Sequence, residues 1–197
     1  MDRLFIIGRD SVPASIEVGE GESLKLDFVI LPGVSADTSL RIDINGPGAV
    51  VDLGGVYVCD GDTKASLNVG VRHNCGGSVS RQLFKGVASG NSFFRFGGLV
   101  YVAQDAQRTK AYQENHSLLL SPTACVETLP QLEIYADDVE CSHGATTGFL
   151  SADEQFYMRS RGIPEQEARR LQVISFLHPV VSRLPEELQE ELLLERL

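Results

Sequence analysis

Residues 40–46 read Leu40-Arg41-Ile42-Asp43-Ile44-Asn45-Gly46. Aliphatic and charged side chains alternate strictly, and a turn dipeptide follows. Alternation at period two puts Leu40, Ile42 and Ile44 on one face of an extended segment and Arg41 and Asp43 on the other. Asn-Gly is a strong turn signal. The same grammar recurs upstream in Leu24-Lys25-Leu26-Asp27-Phe28. Downstream, Val56-Tyr57-Val58 runs into Asp60-Gly61, and Ala65 to Val71, Leu99-Val100-Tyr101-Val102 and Leu132-Glu133-Ile134-Tyr135 continue the series. No helical pattern interrupts it before about residue 150. Many short strands with frequent turns describe a sandwich, a barrel or a β-solenoid, and even spacing does not separate the three. The absence of clear hairpin pairing after residue 80, with corners such as Gly97-Gly98 and Ser121-Pro122, tips the balance toward the solenoid. A solenoid exposes its end rungs, which then need a cap or a partner.

The periodicity changes near residue 151, giving a β region over residues 1–150 and a helical region over 151–197. Ser151-Ala152-Asp153-Glu154 fits a capping box, with the serine hydroxyl accepting from the Glu154 backbone N–H and the glutamate reaching back. The helix it opens carries Phe156, Tyr157 and Met158, ends in Arg159 and Arg161, and stops at Gly162, a left-handed cap. Pro164 opens a second helix, apolar over a wide arc near its end through Ala168, Leu171, Val173, Ile174, Phe176 and Leu177, and Pro179 is expected to end or kink it. Pro185 starts a third helix, Glu186 to about Leu194. Leu184, Leu188 and Leu192 form its stripe, and Glu187, Glu190, Glu191 and Glu195 lie elsewhere on it. Of 19 glycines only Gly162 lies beyond residue 150, so glycine marks the same boundary.

Composition narrows the function classes. Of 197 residues, 27 are acidic and 17 basic, and a net charge of −10 argues against a nucleic-acid partner, whose phosphates demand a basic surface. Apolar runs such as Phe28-Val29-Ile30-Leu31 are far shorter than the ~20 residues a membrane-spanning helix needs. The apolar stretch in Met1 to Gly8 is too short for a signal peptide, so a reducing cytoplasm is the expected compartment. The nucleophile elbow and the phosphate-binding loop are both missing.

Chemistry concentrates in a few places. Cys59, Cys75, Cys125 and Cys141 include no Cys-x-x-Cys pair, and the first three read as small buried hydrophobes. Cys141-Ser142-His143-Gly144 is the sharpest cluster. On a strand Cys141 and His143 project to one face. Thiolate and imidazole side by side are ligands for a soft metal or an iron–sulfur species, or equally a nucleophile and its base. Two ligands do not complete a metal site, so others must come from elsewhere or from another chain. His73 and Cys75, also two apart, form a second candidate pair. Asp137-Asp138 is the adjacent carboxylate pair of the β region. Neighbours on an extended strand face opposite ways, which rules out a dyad there unless a turn begins at Ala136, and both read as a structural corner.

At this point a longer run becomes recognisable. From Phe84-Lys85-Gly86-Val87 to Ser160-Arg161-Gly162-Ile163 the chain resembles the SufB/SufD family of iron–sulfur cluster assembly proteins. The likeness passes through Asp105-Ala106-Gln107-Arg108-Thr109, Gln113, Asn115, Leu118-Leu119-Leu120-Ser121, Leu132 to Val139 and Cys141 to Thr146. The Cys-Ser-His-Gly form looks like the D-type subunit. The resemblance implies a right-handed parallel β-helix followed by a small helical domain. It also implies a non-catalytic cytoplasmic scaffold subunit, working with a soluble ABC-type (SufC-type) ATPase and a SufB-type partner. A second copy of the chain is the alternative mate for the β-helix. By the same resemblance Cys141 and His143 match interface positions implicated in cluster assembly, with no permanently bound cofactor but a transient cluster or iron. Phe156, Tyr157, Arg159, Arg161, Gly162 and Ile163 fall in the ATPase-docking helical domain. Family members are usually longer, so contacts made by a further N-terminal region do not carry over, and His178-Pro179 interrupts the last family-like helix. Two other readings stand beside this one. One is a β-helix enzyme on acidic polysaccharide, which would want secretion and a basic or metal-laden groove. The other is a purely structural interaction module with Cys141 in its core.

Overall fold

The structure is a computed structural model and describes residues 1–193. Eleven strands precede three helices: β1 Asp2–Ile7, β2 Ser15–Val18, β3 Ser23–Ile30, β4 Ala36–Ile44, β5 Val50–Cys59, β6 Lys64–His73, β7 Val79–Ala88, β8 Phe93–Val102, β9 Lys110–Leu119, β10 Cys125–Ile134, β11 Glu140–Phe149, α1 Ala152–Ser160, α2 Glu165–Val181 and α3 Glu186–Leu193. Consecutive strands never pair. The odd strands form one sheet in the order β1-β3-β5-β7-β9-β11, and the even strands form the other, β2-β4-β6-β8-β10. All pairing between strands is parallel, so Val50 lies beside Val79, Val79 beside Lys110, and Lys110 beside Glu140. This is a parallel β-solenoid, the outcome toward which the missing hairpins leaned. Asn45-Gly46 does not fold a strand back on itself but turns the chain from one sheet into the other. Asn74 donates to Asn45 one rung below at 2.8 Å, stacking the corners. Gly46 is required by close approach, since a Cβ there would stand 1.9 Å from the Glu20 backbone nitrogen.

Side chains alternate into and out of the solenoid. Leu24, Leu26, Phe28 and Ile30 of the first sheet meet Leu40, Ile42 and Ile44 of the second in the main core, which continues through Leu67, Val69, Phe94 and Phe96. The odd-strand sheet is apolar on its outer face too. There Val29, Leu31, Val56, Val58 and Val87 bury themselves against Val173, Leu177, Val180, Val181, Leu184, Leu188 and Leu192. The helices therefore fold back over the outside of this sheet, which explains why Phe28-Val29-Ile30-Leu31 does not alternate. Each such aliphatic side chain is worth about 1.5–3 kcal/mol when fully buried.

The helix boundaries fall close to the expected ones, with instructive differences. Ser151 caps α1 by accepting from Glu154 N–H at 3.3 Å, but the reciprocal half of the capping box is not made. Glu154 instead accepts from Gln172 Nε2 at 2.7 Å, tying α1 to α2. Gly162 has φ +87° and Ile163 N–H reaches Met158 O, the left-handed stop that was expected. Pro179 neither ends nor interrupts α2, which runs on to Val181. Because proline removes only the bond its own N–H would make four residues back, one position near the last turn absorbs it. Leu184, Leu188 and Leu192 are buried as the stripe requires. Leu194 and Glu195 lie outside the described residues. No helix among the described residues is long and apolar enough to cross a membrane.

Candidate functional site

The solenoid finishes at β10 and β11, each the last strand of its sheet, and among the described residues no strand pairs with their free edges. Inward-facing positions that are sealed in lower rungs are half-open here. Val126 lies over Phe94, Leu132 over Val100 and Cys141 over Ala111. Leu132, Val139 and Cys141 pack on a small cluster of Val100, Val102, Ala106, Ala111 and Ala136. Cys141 and His143 occupy successive inward positions of β11, Cys141 half-buried and His143 exposed above Gln113. The pair therefore stands side by side at the mouth of the open end, on a strand with one hydrogen-bonded neighbour.

The electrostatics do not activate the thiol. Burial pushes the Cys141 thiol up, a hydrogen bond from the Ala111 backbone opposes this, and the Glu140 carboxylate adds to the rise. The isolated chain thus holds Cys141 protonated, and a metal or cationic partner is needed to release the proton. Among the described residues no three of His, Cys, Asp and Glu converge to hold a metal ion.

The second candidate pair is arranged differently. His73 is fully buried at the end of β6, with Nδ1 2.7 Å from Ser78 Oγ and Nε2 2.9 Å from Ser80 Oγ. Both ring nitrogens are engaged, and burial lowers the imidazole to about 4. Cys75 lies past the strand end in the corner, its sulfur directed at Ile44 O, so the two do not share a strand face. Of the thiols read as buried, Cys59 is, and burial pushes it up to about 12. Cys75 is partly exposed and Cys125 exposed, because Cys125 opens β10 on an outward position of the uncapped rung. Asp137 and Asp138 form a bend between β10 and β11, where Asp138 O accepts from Arg108 N–H and Asp138 N–H donates to Gln107. That is the structural corner expected.

The helical surface is the other exposed feature. No residue of α1 is buried, and Phe156 and Tyr157 are 74% and 59% exposed. Arg161 lies over the Tyr157 ring at 5.4 Å and Arg159 faces Glu165 at 3.5 Å, while Gly162 and Ile163 form the turn below them. Phe149 and Leu171 extend the apolar surface; Leu171 belongs to the apolar arc expected of α2 but lies on its exposed side, and Phe149 was not singled out from the sequence. A strand-end phenylalanine carries no sign in the sequence of whether another rung covers it.

The sequence reading also passed over a buried polar ladder. Gln82, Gln113, Asn115 and Ser117 point inward and are almost fully buried, with Tyr57 Oη close to Ser117 Oγ at 2.5 Å. The signal available was the polar alternation Gln113, Asn115, Ser117 on a strand whose neighbours bury the same face.

The family model described as "SUF system FeS cluster assembly, SufBD core domain" matches residues 15–176. The chain belongs to the SufB/SufD family. Among its curated relatives, the iron–sulfur cluster assembly protein SufD of Escherichia coli is 34% identical over 168 residues, which cover 85% of this chain and 40% of that protein. An iron–sulfur cluster assembly SufBD family protein of Synechocystis is 40% identical over 137 residues, covering 70% of this chain and 29% of the relative. Protein ABCI7, chloroplastic, of Arabidopsis thaliana is 38% identical over 141 residues, 71% of this chain and 30% of the relative. The SufB/SufD chain described here thus spans well under half the length of these relatives. Both halves of the candidate surface, the β11 pair and most of the helical face, fall inside the matched residues.

Proposed function

We propose that the chain serves iron–sulfur cluster assembly as a non-catalytic scaffold, with Cys141 and His143 as its contribution to an interface site for a transient cluster or iron. The observation that carries this reading is the placement of that thiol and imidazole together on the uncapped last rung. The free edges of β10 and β11 offer unpaired backbone N–H and C=O groups, and a partner solenoid of the B type, or a second copy, satisfies them by extending the sheets. The partner then supplies the ligands that two residues cannot. Its cation or bound iron lowers the Cys141 thiol, the thiolate being the form that binds iron.

The exposed face of α1 with Leu171 is assigned to the soluble ABC-type ATPase. Support comes from its apolar and aromatic exposure on a helix with no buried residue, held to α2 by Gln172 bonded to Ser151 and Glu154 and by the Arg159–Glu165 pair. Strand β11 ends at Phe149 and α1 begins at Ala152, so a force on α1 is delivered to the strand that bears Cys141 and His143. An edge strand bonded on one side is the cheapest part of the solenoid to displace. The site of action is assigned to the cytoplasm.

The test is anaerobic co-expression with the B-type subunit and the ATPase, followed by measurement of retained iron and sulfide. Cys141→Ala and His143→Ala are expected each to reduce both, with the complex still assembled. Full iron and sulfide in both variants sinks the site, and failure of the three chains to co-purify sinks the assembly.

A further inference from the structure

Directly beneath His143 the solenoid buries an amide oxygen that lacks a donor. Gln82 on β7, Gln113 on β9 and His143 on β11 share one inward column, adjacent rung to rung. Gln113 Nε2 donates to Gln82 Oε1 at 3.1 Å, so the nitrogen of its amide is turned toward β7. A primary amide is planar, with its nitrogen and oxygen on opposite sides of the Cγ–Cδ axis. The oxygen of Gln113 therefore faces the other neighbour, β11. That oxygen is buried without a partner, on a side chain 1% exposed. Gly98 on the opposing sheet leaves room for the group, since a Cβ there would lie 2.5 Å from both the amide nitrogen and oxygen. A buried acceptor without a donor keeps the full cost of its desolvation, so an N–H arriving from the rung above is favoured there.

We infer that Gln113 is a positioning residue for His143: its amide oxygen accepts the imidazole N–H when the open end is engaged, fixing the tautomer that turns the other ring nitrogen's lone pair outward to a metal. The inference rests on the assignment of Cys141 and His143 as a ligand pair. A metal-binding histidine ordinarily donates its second ring N–H to a carboxylate, carbonyl or water, and loss of that acceptor weakens metal affinity about 10–100-fold. Gln113 supplies such an acceptor from inside the fold, already desolvated and tied to Gln82.

The probe is Co²⁺ alone, titrated into the reduced chain co-purified with its B-type partner, so that the open end is engaged, and followed by thiolate-to-cobalt absorption, with ¹⁵N shifts of the His143 ring read in the Zn²⁺-loaded complex. Wild type is expected to show the absorption and a His143 ring with one nitrogen on metal and the other protonated and protected from exchange. Gln113→Met is expected to weaken Co²⁺ about 10–100-fold and to leave that proton exchanging freely. Gln113→Glu keeps an acceptor, with the Gln82 amide free to turn and donate to it, and is expected to restore most of the affinity. Unchanged affinity and tautomer in Gln113→Met overturn the proposal while the ligand pair stands. If Gln113→Met does not fold, an unprotected His143 N–H in metal-loaded wild type overturns it instead. Absence of cobalt binding, or binding that survives Cys141→Ser and His143→Ala, removes the ligand pair and the proposal with it.

Discussion

Replacing Arg183 by methionine removes the more buried of two ionic clasps seen among the described residues between the helices and the solenoid, the other being Arg9 with Glu191. Arg183 follows the cap of α2, and its Nε lies 2.7 Å from Asp27 Oδ1 while Nη1 lies 3.0 Å from Asp52 Oδ1. The two contacts differ in weight, because the Asp27 side chain is 9% exposed and that of Asp52 46%. The Asp52 contact is worth at most about 1 kcal/mol. Asp27 is the buried member, and removing only its cation is expected to cost about 3–5 kcal/mol. Protonation limits that cost. The ordinary carboxyl value is 3.8, and each pH unit above it makes protonation about 1.4 kcal/mol dearer, so the ceiling is about 4 kcal/mol at pH 7 and under about 2 kcal/mol at pH 5. Burial already holds Asp27 above its ordinary value, with Arg183 and Lys25 pulling it back down. The native state therefore takes up this proton before the unfolded chain does, and Asp27's contribution to stability falls as pH rises from 3.8 through the raised value. Without Arg183 that fall becomes steeper. In urea unfolding, Arg183→Met is expected to lose about 3–4 kcal/mol at pH 7 and less than half of that at pH 5. Adding Asp27→Asn, which removes the stranded charge, restores most of the loss. A loss below about 1 kcal/mol at pH 7, or equal losses at both pH values, refutes the reasoning.

His73 supplies a second pH dependence of opposite sign: its imidazole drops from 6.5 to about 4 on folding. Stability should decline as pH falls across that window, by about 3 kcal/mol in all, and His73→Gln should flatten the decline in urea titrations from pH 7 to pH 4. Gly46→Ala drives a Cβ into the Glu20 backbone and is expected to cost about 1–3 kcal/mol, a fall in Tm of several degrees. Gly70→Ala, whose Cβ meets nothing within 4 Å, should leave Tm unchanged or slightly raised, and equal losses at the two glycines contradict the packing described. Iodoacetamide on the native chain, read by peptide mass spectrometry, should label exposed Cys125 first, Cys141 more slowly and Cys59 last. Labelling of Cys59 ahead of Cys141 counts against the register of β11.

The most regular alternation belongs to strands that face water on one side, although Leu24 to Phe28 and Val56 to Val58 of the helix-covered sheet were legible too. Leu40 to Ile44 and Ala65 to Val71 alternate because only their inner face is buried, and a period of two survives in the residue types. Strands β7, β9 and β11 carry no such signature. The inner face of β9 is Ala111, Gln113, Asn115 and Ser117, and β11 turns Cys141 and His143 inward, so a hydropathy pattern sees polar residues where the fold has an interior. The change to helical period at Ser151 was legible from its cap and from the loss of glycine. What the helices cover was not, although the doubly apolar run Phe28 to Leu31 already required a second layer outside the sheet.

The candidate site shows the same division between local pattern and stacking. That Cys141 and His143 share a face follows from their spacing on any strand. That they occupy the last rung, with an amide acceptor below and, among the described residues, no strand above, depends on which segment stacks on which, and offsets between rungs vary. Val50 meets Val79 across 29 residues, whereas Phe93 meets Cys125 across 32. The extra residues sit in corners, where insertion leaves the ladder intact, so the repeat is regular in space and irregular in sequence. For the same reason His73 and Cys75, with spacing identical to that of Cys141 and His143, came out otherwise. Strand β6 ends at His73, which places its partner in a corner, and two further rungs close over the imidazole that Ser78 and Ser80 satisfy. Position along the stack, more than local spacing, decides whether a thiol and an imidazole two residues apart become a shared face at the open end or a sealed side chain and a corner.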